Sequence, residues 1–231
     1  MKPFKFKQFD IQQSPDVFRV GTDGVLLGAL ACVGDAQKVL EVGTGTGLIS
    51  LMLAQRNSNA EFLGVDIQEA AVGLTKLNFE NSVFASRLKN ILIDFKTLET
   101  EERFDLIVSN PPYFEESNSH KDKIARQTVE LNFEQLISKA SVLLSENGIF
   151  SVIIPVEIGN NFIEITRDHK LFLNRRIDIK GIEGSKTKRV ILEFSLIQSE
   201  VKEFNFVIEK SPRKYSDQYV ELTKEFHVFG K

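Results

Sequence analysis

An α/β fold, with a mostly parallel sheet between helices and antiparallel strands near the carboxyl terminus, is what this sequence predicts. Three observations carry the prediction. Short apolar runs alternate with amphipathic segments between residues 38 and 155, the pattern of strand–helix–strand units. Past residue 170 the helical spacing gives way to three strand-like runs, a way to finish such a sheet with an antiparallel hairpin. Several of the earlier runs also end in residues suited to ligand chemistry, and the carboxyl ends of the strands are where open sheets of this kind bind ligands.

The elements follow in order. "GTDGVLLGAL" predicts a helix packed beside the sheet. "KVLEVG" (38–43) is a strand and "GLISLMLAQR" (47–56) a helix with a wide apolar face. "EFLGVD" (61–66) is a strand and "QEAAVGLTKLNFENS" (68–82) a helix. "LKNILI" (88–93) and "FDLIVS" (104–109) are strands, "NFEQLISKASVLLS" (132–145) a helix and "GIFSVIIP" (148–155) a strand. "LNRRIDIK", "RVILEFSLI" and "EFNFVIE" are the late strands. The 231 residues read as one domain: a preamble at 1–37, a core at 38–155, and a segment at 156–231 that completes the sheet.

Composition narrows the class. Hydrophobic residues at 42% and charged residues at 26% are ordinary for a soluble globular chain. "MKPFKFKQFD" has lysines but no apolar stretch behind them, so it is no secretory signal, and no run is long enough to span a membrane. The single Cys32 has no partner for an internal disulfide, which fits a reducing cytoplasm. A net charge of −3 argues against indiscriminate nucleic-acid binding but leaves room for a local basic face. His120, His169 and His227 show no metal-ligand spacing, and there is no G-x-S-x-G nucleophile motif, so neither a metal nor a covalent intermediate is expected.

The strand ends point to chemistry. The first leads through Glu41 into Gly43-Thr-Gly45-Thr-Gly47, where bare backbone can approach a ligand at a helix start. Leu48 stands where the third glycine of a dinucleotide fingerprint belongs, and no ATPase-type phosphate loop is present. Asp66 ends the second strand about 20 residues beyond the glycines, where an acid takes ribose hydroxyls. Asp94 and Phe95 end the third, a carboxylate for an adenine amino group with a ring beside it, although a cap or turn accounts for Asp94 equally well. With no phosphate-specific group, this set favours S-adenosylmethionine over NAD or ATP. The fourth strand ends in Asn110-Pro111-Pro112-Tyr113. The prolines fix the loop and hold Asn110 out of helical geometry. The Asn110 side-chain oxygen and the Pro111 carbonyl can then converge as two acceptors, with Tyr113 as a flat platform. That arrangement suits a planar amine, whose delocalised lone pair needs acceptors on its N–H bonds as a methyl arrives.

Carried by these motifs, the sequence resembles the class I S-adenosylmethionine-dependent methyltransferases that act on planar amines. It is more closely similar to the bacterial methyltransferases that modify adenosine 37 of valine tRNA at its exocyclic amine. That likeness rests on "FKFKQFDI", "RVGTDGVLLGAL", "EVGTGTGLISLMLAQR", "FDLIVSNPPYF" and "YSDQYVELTKEF". The resemblance implies a Rossmann-like, mostly parallel seven-stranded sheet, places Thr22 and Asp23 near the cofactor, and implies a tRNA substrate with no membrane, metal or obligate protein partner. His227 stands where the tail would carry another aromatic. The basic segments gain a use: Lys5 and Lys7, Arg126, and the cluster Arg175, Arg176, Lys186, Lys188 and Arg189 would hold tRNA phosphates. Phe114 would help Tyr113 sandwich a base turned out of the anticodon loop, though it serves a core equally well. Three alternatives remain open: a ribosomal RNA amine, a glutamine amide of a release factor, and RNA binding without catalysis. The release-factor enzymes carry a helical amino-terminal domain for which 37 residues before the first strand are too few.

Overall fold

The computed structural model describes residues 1–112 and 133–227. Tyr113, Phe114, His120 and Arg126 lie outside the described residues. Five strands form the parallel heart of the sheet: β3 (Lys38–Val42), β4 (Glu61–Asp66), β5 (Leu88–Leu92), β6 (Phe104–Ser109) and β7 (Leu144–Pro155). β9 (Thr187–Ser195) pairs antiparallel with both β7 and β8 (Phe172–Ile182). These seven run in the order β5-β4-β3-β6-β7-β9-β8, the number of strands that the resemblance implies. β10 (Lys202–Ser211), parallel to β8, and the short β11 (Lys214–Tyr215) extend it to nine strands among the described residues. A separate ribbon of β1 (Phe4–Lys5) and β2 (Asp10–Ile11) precedes it.

Alternation along the strands sorts side chains into two cores. Val39, Leu106, Val108, Ile153 and Ile191 face α1 (Thr22–Leu30) and α2 (Leu48–Arg56). Leu40, Ile107, Phe150, Val152, Leu192 and Phe194 face α4 (Phe133–Leu143) and α5 (Val156–Asp168). α3 (Glu69–Glu80) crosses between β4 and β5 and contributes Phe79 to the first core. α1 lies close on α2 because Gly28 faces Met52, where a Cβ would come within 2.9 Å of the side chain.

The late strands need their order explained. A register shift between Leu173 and Arg175 leaves Leu173 against the second core and turns Arg175 towards α1. Because β9 runs against its neighbours, its first residues and the β8–β9 turn lie at the carboxyl edge of the parallel strands, while the start of β8 lies at the opposite edge.

Residues 156–168, assigned above only to the segment that completes the sheet, form α5. Gly159 and two asparagines are weak helix formers, and Phe162 is its one large fully enclosed anchor. The tail adds α6 (Asp217–Thr223), capped by Ser216, whose side chain accepts from Tyr219 N at 3.0 Å. His227 closes the chain ends together. Its ring stacks on Phe6 (5.6 Å between centroids) and on Tyr219 (6.1 Å), and Phe6 and His227 share a bridge. It thus fills an aromatic's place.

Candidate active site

The glycine loop is built by its neighbours. Gly43, Gly45 and Gly47 all have positive φ, a conformation other residues resist. Gly47 also cannot carry a side chain, since a Cβ would come within 2.6 Å of Phe79. Above Gly43 and Gly45 the opposite holds: a Cβ there would meet nothing within 4 Å, so bare backbone opens onto free space. Thr75 Oγ1 donates to Gly45 O (2.8 Å) and Asn78 Nδ2 to Thr46 O (2.8 Å), fixing the loop from α3. Sequence reasoning passes over both residues. Their signal is two polar side chains three apart on the inward face of an amphipathic helix.

Glu41 underlies the loop instead of facing a ligand. Its carboxylate is enclosed, and Oε2 accepts from the amide (3.0 Å) and hydroxyl of Ser50 in the first turn of α2. Burial pushes its pKa up to about 8; the Ser50 hydrogen bonds oppose the rise and the Asp66 charge adds to it. Glu41 is therefore a positioning residue, correcting its expected place among the ligand contacts.

Asp66 ends β4 partly exposed. Oδ2 accepts from Gly45 N and Oδ1 from Gln68 N, each at 2.9 Å, so the carboxylate braces the glycine loop and starts α3 together. Each oxygen keeps a further lone pair for a ribose hydroxyl. Asp94 caps the short 3₁₀ turn at Phe95–Thr97 through Lys96 N (3.0 Å) and pairs with Lys96 Nζ at 3.3 Å. Phe95 is a correction: it is only 4% exposed and packs with the second core, so its ring is not a face for a base.

Register brings the two chemical loops together. Val42 of β3 lies opposite Ser109 of β6, and Ser109 Oγ donates to Val42 O at 2.9 Å. The next residues, Gly43 and Asn110, therefore leave neighbouring strand ends, about 4.8 Å apart by strand spacing. Val42 also faces Val65 of β4, which sets Asp66 on the other side of the same loop. Asn110 is partly exposed, Pro111 buried and Pro112 exposed.

The basic cluster divides. Arg175 Nη1 donates to Leu30 O (3.0 Å), Cys32 Sγ (3.1 Å) and Glu193 Oε2 (3.0 Å), and its guanidinium lies over the Phe204 ring. Glu193, 3% exposed, also accepts from Cys32 N and Ser151 Oγ. Beside this carboxylate, burial pushes the Cys32 thiol up. Arg176 pairs with Asp178 at 2.9 Å. Both arginines thus have partners within the fold, in the sheet rows that run through Val108 and Ser109 of β6. Arg189 reaches the right edge, but its Nε is bonded to Asp23 Oδ2 at 3.0 Å, tying α1 to β9. That pairing gives both side chains a partner within the fold while each stays about a quarter exposed. Thr22, the first residue of α1, is exposed beside it. Lys186 and Lys188 are exposed at the β8–β9 turn, and Lys5 and Lys7 on the β1–β2 ribbon.

Among the described residues no helix is long and apolar enough to cross a membrane, and no three His, Cys, Asp or Glu side chains are placed to hold a metal ion. A glycine loop between two acidic strand ends, beside Asn-Pro-Pro on the next strand, defines a methyltransferase site, and residues 13–168 match the family described as methyltransferase small domain. The fold agrees: a crystal structure of a predicted O-methyltransferase from Agrobacterium tumefaciens superposes with a TM-score of 0.71, covering 88% of this chain and 96% of that one at 17% identity. A tRNA1(Val) (adenine(37)-N6)-methyltransferase of Flavobacteriaceae bacterium (strain 3519-10) is 51% identical over 99% of this chain and 100% of its own length. One of Flavobacterium psychrophilum is 40% identical over 97% and 99%. The chain belongs to this family of tRNA1(Val) (adenine(37)-N6)-methyltransferases.

Proposed function

We propose that the protein transfers the methyl group of S-adenosylmethionine to the exocyclic amine of adenosine 37 in valine tRNA, as one cytoplasmic methyltransferase domain. The observation that carries this reading is the pairing of Val42 with Ser109, which sets the glycine loop beside Asn110 in a chain so similar to enzymes named for that reaction.

The residues present fit the cofactor: open space lies over Gly43 and Gly45, and Asp66 has lone pairs to spare. When bound there, S-adenosylmethionine supplies an electrophilic methyl group on a sulfonium. Gly43 and Gly45 let backbone lie against its amino-acid tail, Asp66 accepts from the ribose hydroxyls, and Asp94 accepts from the adenine amine. Asn110 Oδ1 and the Pro111 carbonyl accept the two N–H bonds of the target amine and turn its lone pair towards the methyl. The proton becomes acidic only as the nitrogen gains positive charge, so a neutral amide suffices and no strong base is required. Lys186 and Lys188 attract the RNA backbone to this edge.

The test is methyl transfer from labelled S-adenosylmethionine to tRNA lacking the modification, modified tRNA, ribosomal RNA and release factor, read by nucleoside mass spectrometry. N6-methyladenosine arising only in the unmodified tRNA is the expected result. Label in ribosomal RNA or protein overturns the substrate.

A further inference from the structure

Residues 12–21 link β2 to α1 along the carboxyl edge of the sheet. At one end the Gln12 backbone is clasped by Asn78, through Gln12 N to Oδ1 (2.8 Å) and Nδ2 to Gln12 O (3.2 Å), and the same Asn78 holds the glycine loop. At the other end Asp23 is bonded to Arg189, which lies opposite Pro155 at the end of β7. In strand order β6 lies between β3 and β7, so this segment flanks the end of β6, where Asn110 stands.

The segment is braced. Val17 is 6% exposed, Val20 packs on the first core, and Val20 N donates to Gln13 Oε1. Between these anchors Phe18 and Arg19 point outward. Phe18 is 81% exposed, more than any other large apolar side chain among the described residues. A polar residue would occupy that backbone position without leaving a ring in water. Arg19 beside it is exposed too.

We propose that Phe18 stacks on the nucleotide next to the target adenosine, with Arg19 on that nucleotide's phosphate. The inference rests on the RNA reading above. A target base that reaches Asn110 has left its stack, so its neighbour presents an uncovered face. An aromatic ring offers a sequence-tolerant platform for such a face, and a guanidinium matches the phosphate. Phe18 acts as a positioning residue, not a catalytic one.

The experiment uses the full chain with an unmodified valine tRNA transcript, and an anticodon stem-loop carrying 2-aminopurine beside the target adenosine. Phe18→Ala is expected to raise the KM for tRNA on the order of tenfold, with cofactor affinity and Tm unchanged. Phe18→Trp is expected to restore the KM. Binding of the unaltered protein shifts the 2-aminopurine fluorescence, and binding of Phe18→Ala does not. Methylation of tRNA by the unaltered protein, with the same KM and fluorescence response in Phe18→Ala, overturns the role of Phe18 alone. Failure of the unaltered protein to methylate tRNA overturns the substrate reading, and this inference with it. Loss of self-association in Phe18→Ala with the tRNA KM unchanged makes the ring a contact between copies and overturns the stacking role.

Discussion

Arg175 and Arg176 on one side, and Lys186 and Lys188 on the other, come from one basic stretch of sequence and finish in different settings: the arginines in the interior rows of the sheet, the lysines at the turn beyond its carboxyl edge. The arginines lie within β8 and are held by partners: Glu193, the α1 carbonyl of Leu30, and Asp178. The lysines flank the turn into β9 and stand in solvent beside the strand ends that carry the chemistry. Like charges close in sequence thus divide between holding a fold and meeting a substrate according to whether strand pairing sets them against partners or a turn leaves them in solvent. The carboxyl edge should lose activity without losing stability when altered, and the paired arginines the reverse.

The largest effect expected at the carboxyl edge is that of Asn110→Ala. Removing one acceptor from a site that acts as charge develops costs about 10²–10³ in kcat. Cofactor affinity by calorimetry and Tm should stay near those of the unaltered protein. A variant with full turnover would remove Asn110 from the mechanism.

Within the sheet Arg175→Ala strands the Glu193 carboxylate, which is 3% exposed, without its counter-charge. Breaking such a pair is expected to destabilise the protein by about 2–3 kcal/mol in denaturant unfolding, near the lower end for a buried pair because Arg175 is itself partly exposed. The tRNA KM of the folded variant should not change. A raised KM with unchanged stability would put Arg175 in the RNA footprint.

The asymmetry also marks what the sequence makes legible. The glycine loop, Asp66 and Asn110-Pro111-Pro112 are readable because their chemistry depends on backbone conformation and on a place just after a strand, both local properties. Thr75 and Asn78 are not, since their work is done on a loop some 30 residues away that only the fold brings near. Glu41 and Phe95 stand in the right motifs, but burial turns one into a brace and the other into core. The division of the basic cluster depends on β9 inserting antiparallel between β7 and β8, which charge spacing does not encode. His227 interrupts an aromatic pattern in sequence while its ring preserves that pattern in the fold.

A smaller effect sharpens the contrast from the other side. Lys186→Glu with Lys188→Glu should raise the tRNA KM and lower the slope of log affinity against log salt by about 0.7–0.9 for each phosphate no longer neutralised. Stability should stay within about 0.5 kcal/mol, since both side chains are exposed. An unchanged salt slope would mean that the RNA backbone approaches elsewhere.

The smallest effect belongs to neither group but to the clasp between Phe6 and His227. Burial lowers the His227 pKa from its ordinary 6.5, so the folded state takes up a proton less readily than the unfolded one. Stability is therefore lost as pH falls below 6.5, while above it His227 is neutral in both states. Phenylalanine in its place keeps the ring between Phe6 and Tyr219 but gives up the 3.2 Å hydrogen bond with Tyr219 Oη. His227→Phe should cost about 1 kcal/mol or less at pH 8 and narrow the gap between stabilities measured at pH 8 and pH 5.5. Tm measured across that range decides it: an undiminished gap would assign the acid sensitivity to another group and leave His227 as packing alone.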